Sequence, residues 1–336
     1  MIKVSKIRLQ LKNPWTISRN SSLYKDNVIV TLQKDGITAY GEAAPNVRYG
    51  EDADITIAEI KKVSKLLDGD LFQFVSLKEK IDNIIKNQSC ARAALDMAIL
   101  DWIAKTVNLP LYRFFGLDIS RTPLTSYSIG IDRPEIIREK VKQAEEYPVL
   151  KVKLGGKNDE EIIKNIRGIT DKPIRVDANE GWKDRETAAK KIDFLVKQNI
   201  ELIEQPLPEG MNEETAWLKD RFDIPLIADE SVKTAKDIPE LRGAFDGINI
   251  KLMKSGGILE AFKMIHLAQT FDMDIMLGCM IETSVAISAA AQLAPYARWI
   301  DLDGNLLISN DPFSGVKVKE GGLIYPEKAG LGVENC

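Results

Sequence analysis

Six short apolar segments of this chain each end in a charged residue, and the six recur at nearly constant spacing: Lys153, Asp177, Glu204, Asp229, Lys251 and Asp303. The successive gaps are 24, 27, 25, 22 and 52 residues, the last being two steps of 26 with "DIMLGCM" (274–280) between them. A strand, a crossover helix and two loops take up about that length, since a parallel crossover alone needs about a dozen residues or more. A chain that repeats a carboxylate or an amine at the same point of successive units aims them at one place. In a closed β/α barrel that place is the C-terminal mouth, where active sites sit.

The pattern from Leu124 onward agrees. Strand candidates are "LTSYSIG", "VLKVKLG", "PIRVDAN", "IELIEQP", "IPLIADE", "GINIKLM", "DIMLGCM" and "WIDLDGN", with amphipathic helices such as "DEEIIKNIRGI" and "GILEAFKMIHLAQTF" between them. Eight strands in alternation with helices imply right-handed crossovers and a closed parallel sheet. The first hundred or so residues read differently. "KVSKIRLQL" and "NVIVTLQ" are strand-like and separated by the polar "NPWTISRNSSLYKD"; "ITAYGEAAP" follows a turn at Asp35–Gly36. Helical patterns come next, and Leu95, Ala98, Ile99, Trp102 and Ile103 form a stripe at three-and-four spacing. A meander followed by helices is an α+β arrangement. The tail from Leu306 is rich in Gly and Pro and is expected to pack back on this N-terminal part.

A net charge of −4 and the lack of a long Lys/Arg run argue against nucleic acid and against an anionic membrane surface. The N-terminus alternates like a strand instead of carrying the apolar core of a signal peptide, and no stretch reaches the length of a membrane span. Cys90, Cys279 and Cys336 are too far apart for a zinc motif and too few for a disulfide framework. A cytoplasmic protein with reduced thiols is the expectation.

Asp177, Glu204 and Asp229 follow "IRV", "LI" and "LIA", so each is held at the top of a buried strand. One such acid would be expected to pair with a neighbouring Lys or Arg. Three in consecutive units repel one another, and a hard divalent cation relieves that with oxygen ligands alone, which suits magnesium, with manganese fitting the same donors. His266, the one histidine, lies in a helical segment, so a histidine base and zinc chemistry are not expected. Lys151 and Lys153 share one face of a strand. Lys251 ends the strand four units on, and elements four units apart face each other across a barrel mouth. An ion-pair ring that merely neutralises the acids would use the same residues, but the order is what a two-base reaction needs. Asp301 and Asp303 share a face of the last strand and could be a second metal site, an ammonium receptor or a solvated strand end; the receptor is preferred. Gly256 and Gly257, ahead of a helix, could receive an anion.

Taken together, Lys-x-Lys at 151–153, "VDAN", "IEQP", "ADES" and "KLMKSGG" resemble the muconate-lactonising-enzyme subgroup of the enolase superfamily, as does "ALDMAILDWIAKTVNLPLYRFFG" (94–116). The resemblance implies an α/β fold: a modified (β/α)7β TIM-type barrel at 121–305 carrying the active site, an α+β capping domain at 1–120, and a tail at 306–336 returning to the cap. "DLDGN" (301–305) and "GCMIETS" (278–284) are similar to the dipeptide epimerases of that subgroup, best known as L-Ala-D/L-Glu epimerases.

Carried over residue by residue, the resemblance implies one Mg2+ held by Asp177, Glu204 and Asp229. Lys153 and Lys251 become the acid/base pair, inverting the α-carbon of the C-terminal residue through an ene-diolate, and Lys151 assists electrostatically. Asp301 and Asp303 hold the amino terminus. Cys279, Met280 and Ile281 contact the dipeptide, and Asn179 and Glu230 support the metal ligands. A cation from the loop after the first strand, Arg19, with Lys25 and Arg48 as candidates beside it, is expected to set the second side chain. A homo-oligomer is compatible with all of this. An o-succinylbenzoate synthase or cycloisomerase of the same subgroup, a Schiff-base aldolase and a binding protein with a vestigial site remain as other readings.

Overall fold

The computed structural model describes residues 1–17 and 21–336. It begins with an antiparallel sheet of β1 (Ile2–Thr16), β2 (Ser21–Lys34) and β3 (Ile37–Ala43) in that order. The β2–β3 turn places Asp35 and Gly36 at φ 50° and 77°, the left-handed pair that matches hairpin twist. The β1–β2 hairpin runs further than the sequence suggested. Trp15 pairs with Ser22 and Thr16 with Ser21, beyond a register shift between Gln10 and Trp15. Pro14 lies inside that shift, where a residue without an N–H can be tolerated in a strand. Most of the segment read as a polar connection is therefore strand.

Three longer helices follow: α1 (Ala53–Val63), α2 (Phe74–Ile84) and α3 (Ser89–Thr106), then a short α4 (Leu111–Phe114). The sequence stripe on α3 understates its burial: nearly every residue from Cys90 to Ala104 is inside. The helix is sandwiched between the antiparallel sheet and the second half of the chain. Its alanines allow close approach, and a Cβ on Gly41 of β3 would stand 1.9 Å from the Ala94 carbonyl oxygen. Any side chain there would force the layers apart.

The barrel strands are β4 (Tyr127–Ile129), β5 (Leu150–Lys153), β6 (Ile174–Asp177), β7 (Ile200–Glu204), β8 (Leu226–Ala228), β9 (Gly247–Lys251), β10 (Asp274–Gly278) and β11 (Trp299–Asp301). They pair in parallel in strict chain order. Thr125 bridges Ile300 in parallel and so joins the two ends of the sheet. The crossovers carry α5 (Pro134–Gln143), α6 (Asp159–Arg167), α7 (Arg185–Leu195), α8 (Asn212–Lys219), α9 (Ile238–Leu241), the one-turn α10 (Leu252–Ser255) leading into α11 (Ile258–Thr270), and α12 (Ser284–Ala291). The last strand runs into the tail with no helix of its own, giving (β/α)7β.

Beyond Leu306 the chain returns to the N-terminal part. Ser309 N–H donates to the Gln10 carbonyl at 2.9 Å, and Leu331 N–H to the Asp101 carboxylate of α3 at 2.8 Å. The glycine pair before α11 does meet an acidic side chain, but one from within the chain: Asp96 of α3 accepts the Ile258 N–H at 2.5 Å. No helix among the described residues is long and apolar enough to cross a membrane.

Candidate active site

Strand register assembles the site. Lys153 of β5 lies opposite Asp177 of β6, which lies opposite Glu204 of β7. On the other side, Lys251 of β9 is level with Gly278 of β10, and Gly278 with Asp301 of β11. Asp229 follows β8 directly. The first five charged residues spaced along the sequence therefore belong to one row around the mouth. Gly278 takes the sixth step and Asp301 the seventh, while Asp303, the last of the sequence series, lies two residues beyond the end of β11. A Cβ on Gly278 would stand 2.6 Å from the side chain of Asn249, which needs that space to donate to Glu204 at 2.8 Å. Two residues earlier on each strand, strand parity gives a second inward row. It holds Lys151, Arg175 and Asn249 beside the apolar floor of Leu202, Ile227, Met276 and Trp299.

Asp177, Glu204 and Asp229 are buried and present oxygens within 4.8 Å of one another. Lys153 Nζ lies 2.5 Å from Asp177, and Lys251 Nζ 2.7 Å from Asp229. Each expected base is thus tied to an outer member of the acid arc, at opposite ends of it. Lys151, wholly buried, sits 2.7 Å from Glu204 and 2.6 Å from Asp301.

These pairings set the electrostatics. Burial and the neighbouring charge of Asp177 push Glu204 up to about 7. Burial alone would raise Asp177 and Asp229, but the adjacent lysines outweigh it and hold both below the ordinary carboxylate range. Burial opposes charge on Lys151 and Lys251 too, yet Asp301 and Glu204 around the first, and Asp229 and Glu204 around the second, raise both. Three close, all-oxygen acids, one of them poorly stabilised as an anion, suit a hard divalent cation.

On the far rim, Ser126 and Ser128 of the first barrel strand's segment bind Asp301 and Asp303. Asp301 ends β11, whereas Asp303 lies beyond the strand and not on it as the sequence suggested. Ser126 Oγ donates to Asp301 at 2.9 Å, and Ser128 N–H donates to Asp303 at 2.6 Å. Burial and Asp301 push Asp303 up to about 7. Lys153, Lys251, Asp301 and Asp303 open onto one cleft between the barrel mouth and the β1–β2 hairpin. Asn179, Glu230, Cys279, Met280 and Ile281 also line it. Asn179 N–H donates to Asp177 at 2.9 Å, and its side chain lies 3.4 Å from Glu230. Arg19 lies outside the described residues. Lys25 lines the cleft, with Ser22 Oγ at 3.4 Å, and burial lowers its proton affinity. Arg48 lines it as well but is engaged by Glu180 at 2.9 Å and Glu209 at 3.3 Å.

The sequence reading missed several residues. Trp15, in the segment read as a polar loop, lines the cleft with its ring 5.8 Å from Lys153 Nζ. Gln205 Oε1 accepts from the Asp229 and Ser231 N–H groups at 2.9 and 3.1 Å, with its own backbone at φ 39°. Lys254 binds Asp229 Oδ1 at 2.6 Å, on the oxygen that Lys251 does not use. Of these, Lys254 carried a signal: it follows Lys251 by three residues, the spacing that brings side chains together on a helical turn.

Comparison with known proteins gives a consistent picture. The family described as enolase C-terminal domain-like matches residues 136–335, and the mandelate racemase / muconate lactonizing enzyme N-terminal domain matches residues 1–116. The L-Ala-D/L-Glu epimerase of Bacteroides thetaiotaomicron is 43% identical over 326 residues, covering 97% of this chain and 85% of that protein. The L-Ala-D/L-amino acid epimerase of Pedosphaera parvula is 39% identical, covering 97% and 96%. Among solved structures, the dipeptide epimerase of Cytophaga hutchinsonii complexed with Mg and D-Ala-L-Val superposes with a TM-score of 0.95 at 31% identity, over 100% of this chain and 95% of that one.

Proposed function

Because the chain belongs to the mandelate racemase / muconate lactonizing enzyme group of the enolase superfamily, we propose that it is a magnesium-dependent dipeptide epimerase inverting the α-carbon of the C-terminal residue. The observation that carries this reading is the placement of Lys153 and Lys251, each paired to an opposite end of one carboxylate arc.

Asp177, Glu204 and Asp229 would hold the ion. When bound, it would supply positive charge beside the substrate carboxylate. The remaining steps belong to the chain's own groups. Asp301 and Asp303 bind the substrate's ammonium, which selects a free N-terminus a peptide's length from the acid arc. One lysine takes the α-proton from one face and the other delivers a proton to the opposite face, so the centre inverts with no redox step or covalent intermediate. Lys151 keeps its proton among three carboxylates and serves as a fixed charge instead of a base. Trp15, Ile281 and Leu307 cover the cleft and limit water around the proton-transfer groups.

Among the described residues, Lys25 is the cation proposed to recognise an acidic C-terminal side chain, since Arg48 is committed to Glu180 and Glu209. A synthase or cycloisomerase has no use for an ammonium receptor built from Asp301 and Asp303. A dipeptide library incubated in D2O with magnesium tests the proposal. Deuterium at the α-carbon of the C-terminal residue, abolished by EDTA, is expected; exchange nowhere, or only at the N-terminal residue, refutes it.

A further inference from the structure

Lys251 is attached to an element that the N-terminal part of the chain holds in place. It is the last residue of β9 and the N-cap of α10, a single turn that ends at Gly256 with φ 83°. Gly257 follows at φ 122° and α11 begins at once. This link is gripped from α3. Asp96 Oδ2 accepts from the Ile258 N–H at 2.5 Å and the Leu259 N–H at 3.4 Å. A Cβ on Gly257 would stand 2.4 Å from the Asp96 carboxyl carbon, and one on Gly256 would stand 3.0 Å from Arg92 Nε. Lys78 of α2 also reaches the Gly256 carbonyl at 3.4 Å.

The other base is held differently. Lys153 continues into Leu154, whose N–H donates to the Asp177 carbonyl at 2.8 Å, and then into Gly155 and Gly156, whose N–H groups bond Asp159. All of those partners belong to the barrel. The two lysines thus differ in what fixes their backbones.

We infer that Asp96 is a positioning residue for Lys251, a carboxylate of the N-terminal helical layer that fixes the turn from which one of the two bases projects. The inference rests on the two-base reading above and adds an asymmetry to it. Loss of the Asp96 contact frees the α10–α11 link and lets Lys251 drift from its line of attack, while Lys153 stays where it is. Misplacement by about 1 Å can cost on the order of a hundredfold in rate. A merely structural role, by contrast, would slow both bases together.

The test reads each base separately. Magnesium-loaded enzyme is incubated in D2O with L-Ala-L-Glu or L-Ala-D-Glu, and initial α-deuteration is measured for each. Lys251→Ala and Lys153→Ala identify which diastereomer depends on which lysine. Asp96→Ala is expected to slow exchange of the Lys251-dependent diastereomer about tenfold or more beyond the other. Asp96→Asn, which keeps one acceptor oxygen in place of two, is expected to shift the ratio in the same sense by less, and serves if the alanine variant does not fold. An equal slowing of both diastereomers, or an unchanged ratio in the variants, overturns the inference. A wild-type enzyme that exchanges neither dipeptide overturns the functional reading instead.

Discussion

Lys254 Nζ lies 2.6 Å from Oδ1 of Asp229, the oxygen that Lys251 leaves free. The same ammonium donates to the Asn249 carbonyl at 3.1 Å, so it is anchored in β9, the strand next to the one that carries the acid it supports. Asp229 is therefore oriented from both sides, and only one of its two lysine partners faces the cleft.

Lys254→Met should consequently weaken magnesium binding by about tenfold to a hundredfold, the range found when a partner that orients a metal ligand is removed. Calorimetric titration of magnesium into the variant checks this without reliance on turnover. Affinity equal to that of the wild type would mean that Asp229 needs no such support.

Asp303 gives the pH dependence. Its carboxyl is raised to about 7 by burial and by the charge of Asp301, so below that pH it is protonated and loses the charge that attracts an ammonium. Dipeptide kcat/KM, which reports the free enzyme, should fall as pH drops through about 7 and level off above it. Asp303→Asn should lower kcat/KM and remove this limb, because the amide does not titrate. A limb of the same midpoint in Asp303→Asn would assign it to another group.

Lys25→Met should raise KM for L-Ala-L-Glu by about tenfold to a hundredfold, the loss of one hydrogen bond to a charged group. A dipeptide with an apolar C-terminal side chain should be unaffected. Steady-state kinetics on the two substrates separates the cases, and equal losses would remove Lys25 from a role in selectivity.

What was legible in the sequence was what strand parity and repeat length dictate locally. Asp177, Glu204, Lys153 and Lys251 lie where an inward-facing strand end must put them, and even the skipped step at Gly278 falls in register. What was not legible comes from contacts between segments far apart in the chain. Ser126 binds Asp301 across 175 residues, and Asp96 caps a helix 162 residues away. Glu42 accepts the Thr283 N–H across 241 residues, closing the N-terminal sheet onto α12. No periodicity announces such pairs. Trp15 escaped for another reason: polar neighbours and Pro14 disguised a strand that pairing across the hairpin sustains.

The central claim is that Lys153 and Lys251 work on opposite faces of one carbon. Its most direct measurement is α-deuterium exchange in D2O from each dipeptide diastereomer, with Lys153→Ala and Lys251→Ala compared. Each variant should lose epimerisation, at a cost of about a hundredfold or more, yet still exchange one diastereomer, and the surviving diastereomer should differ between the two. Loss of the same diastereomer in both variants, or wild-type epimerisation by either, would contradict the account.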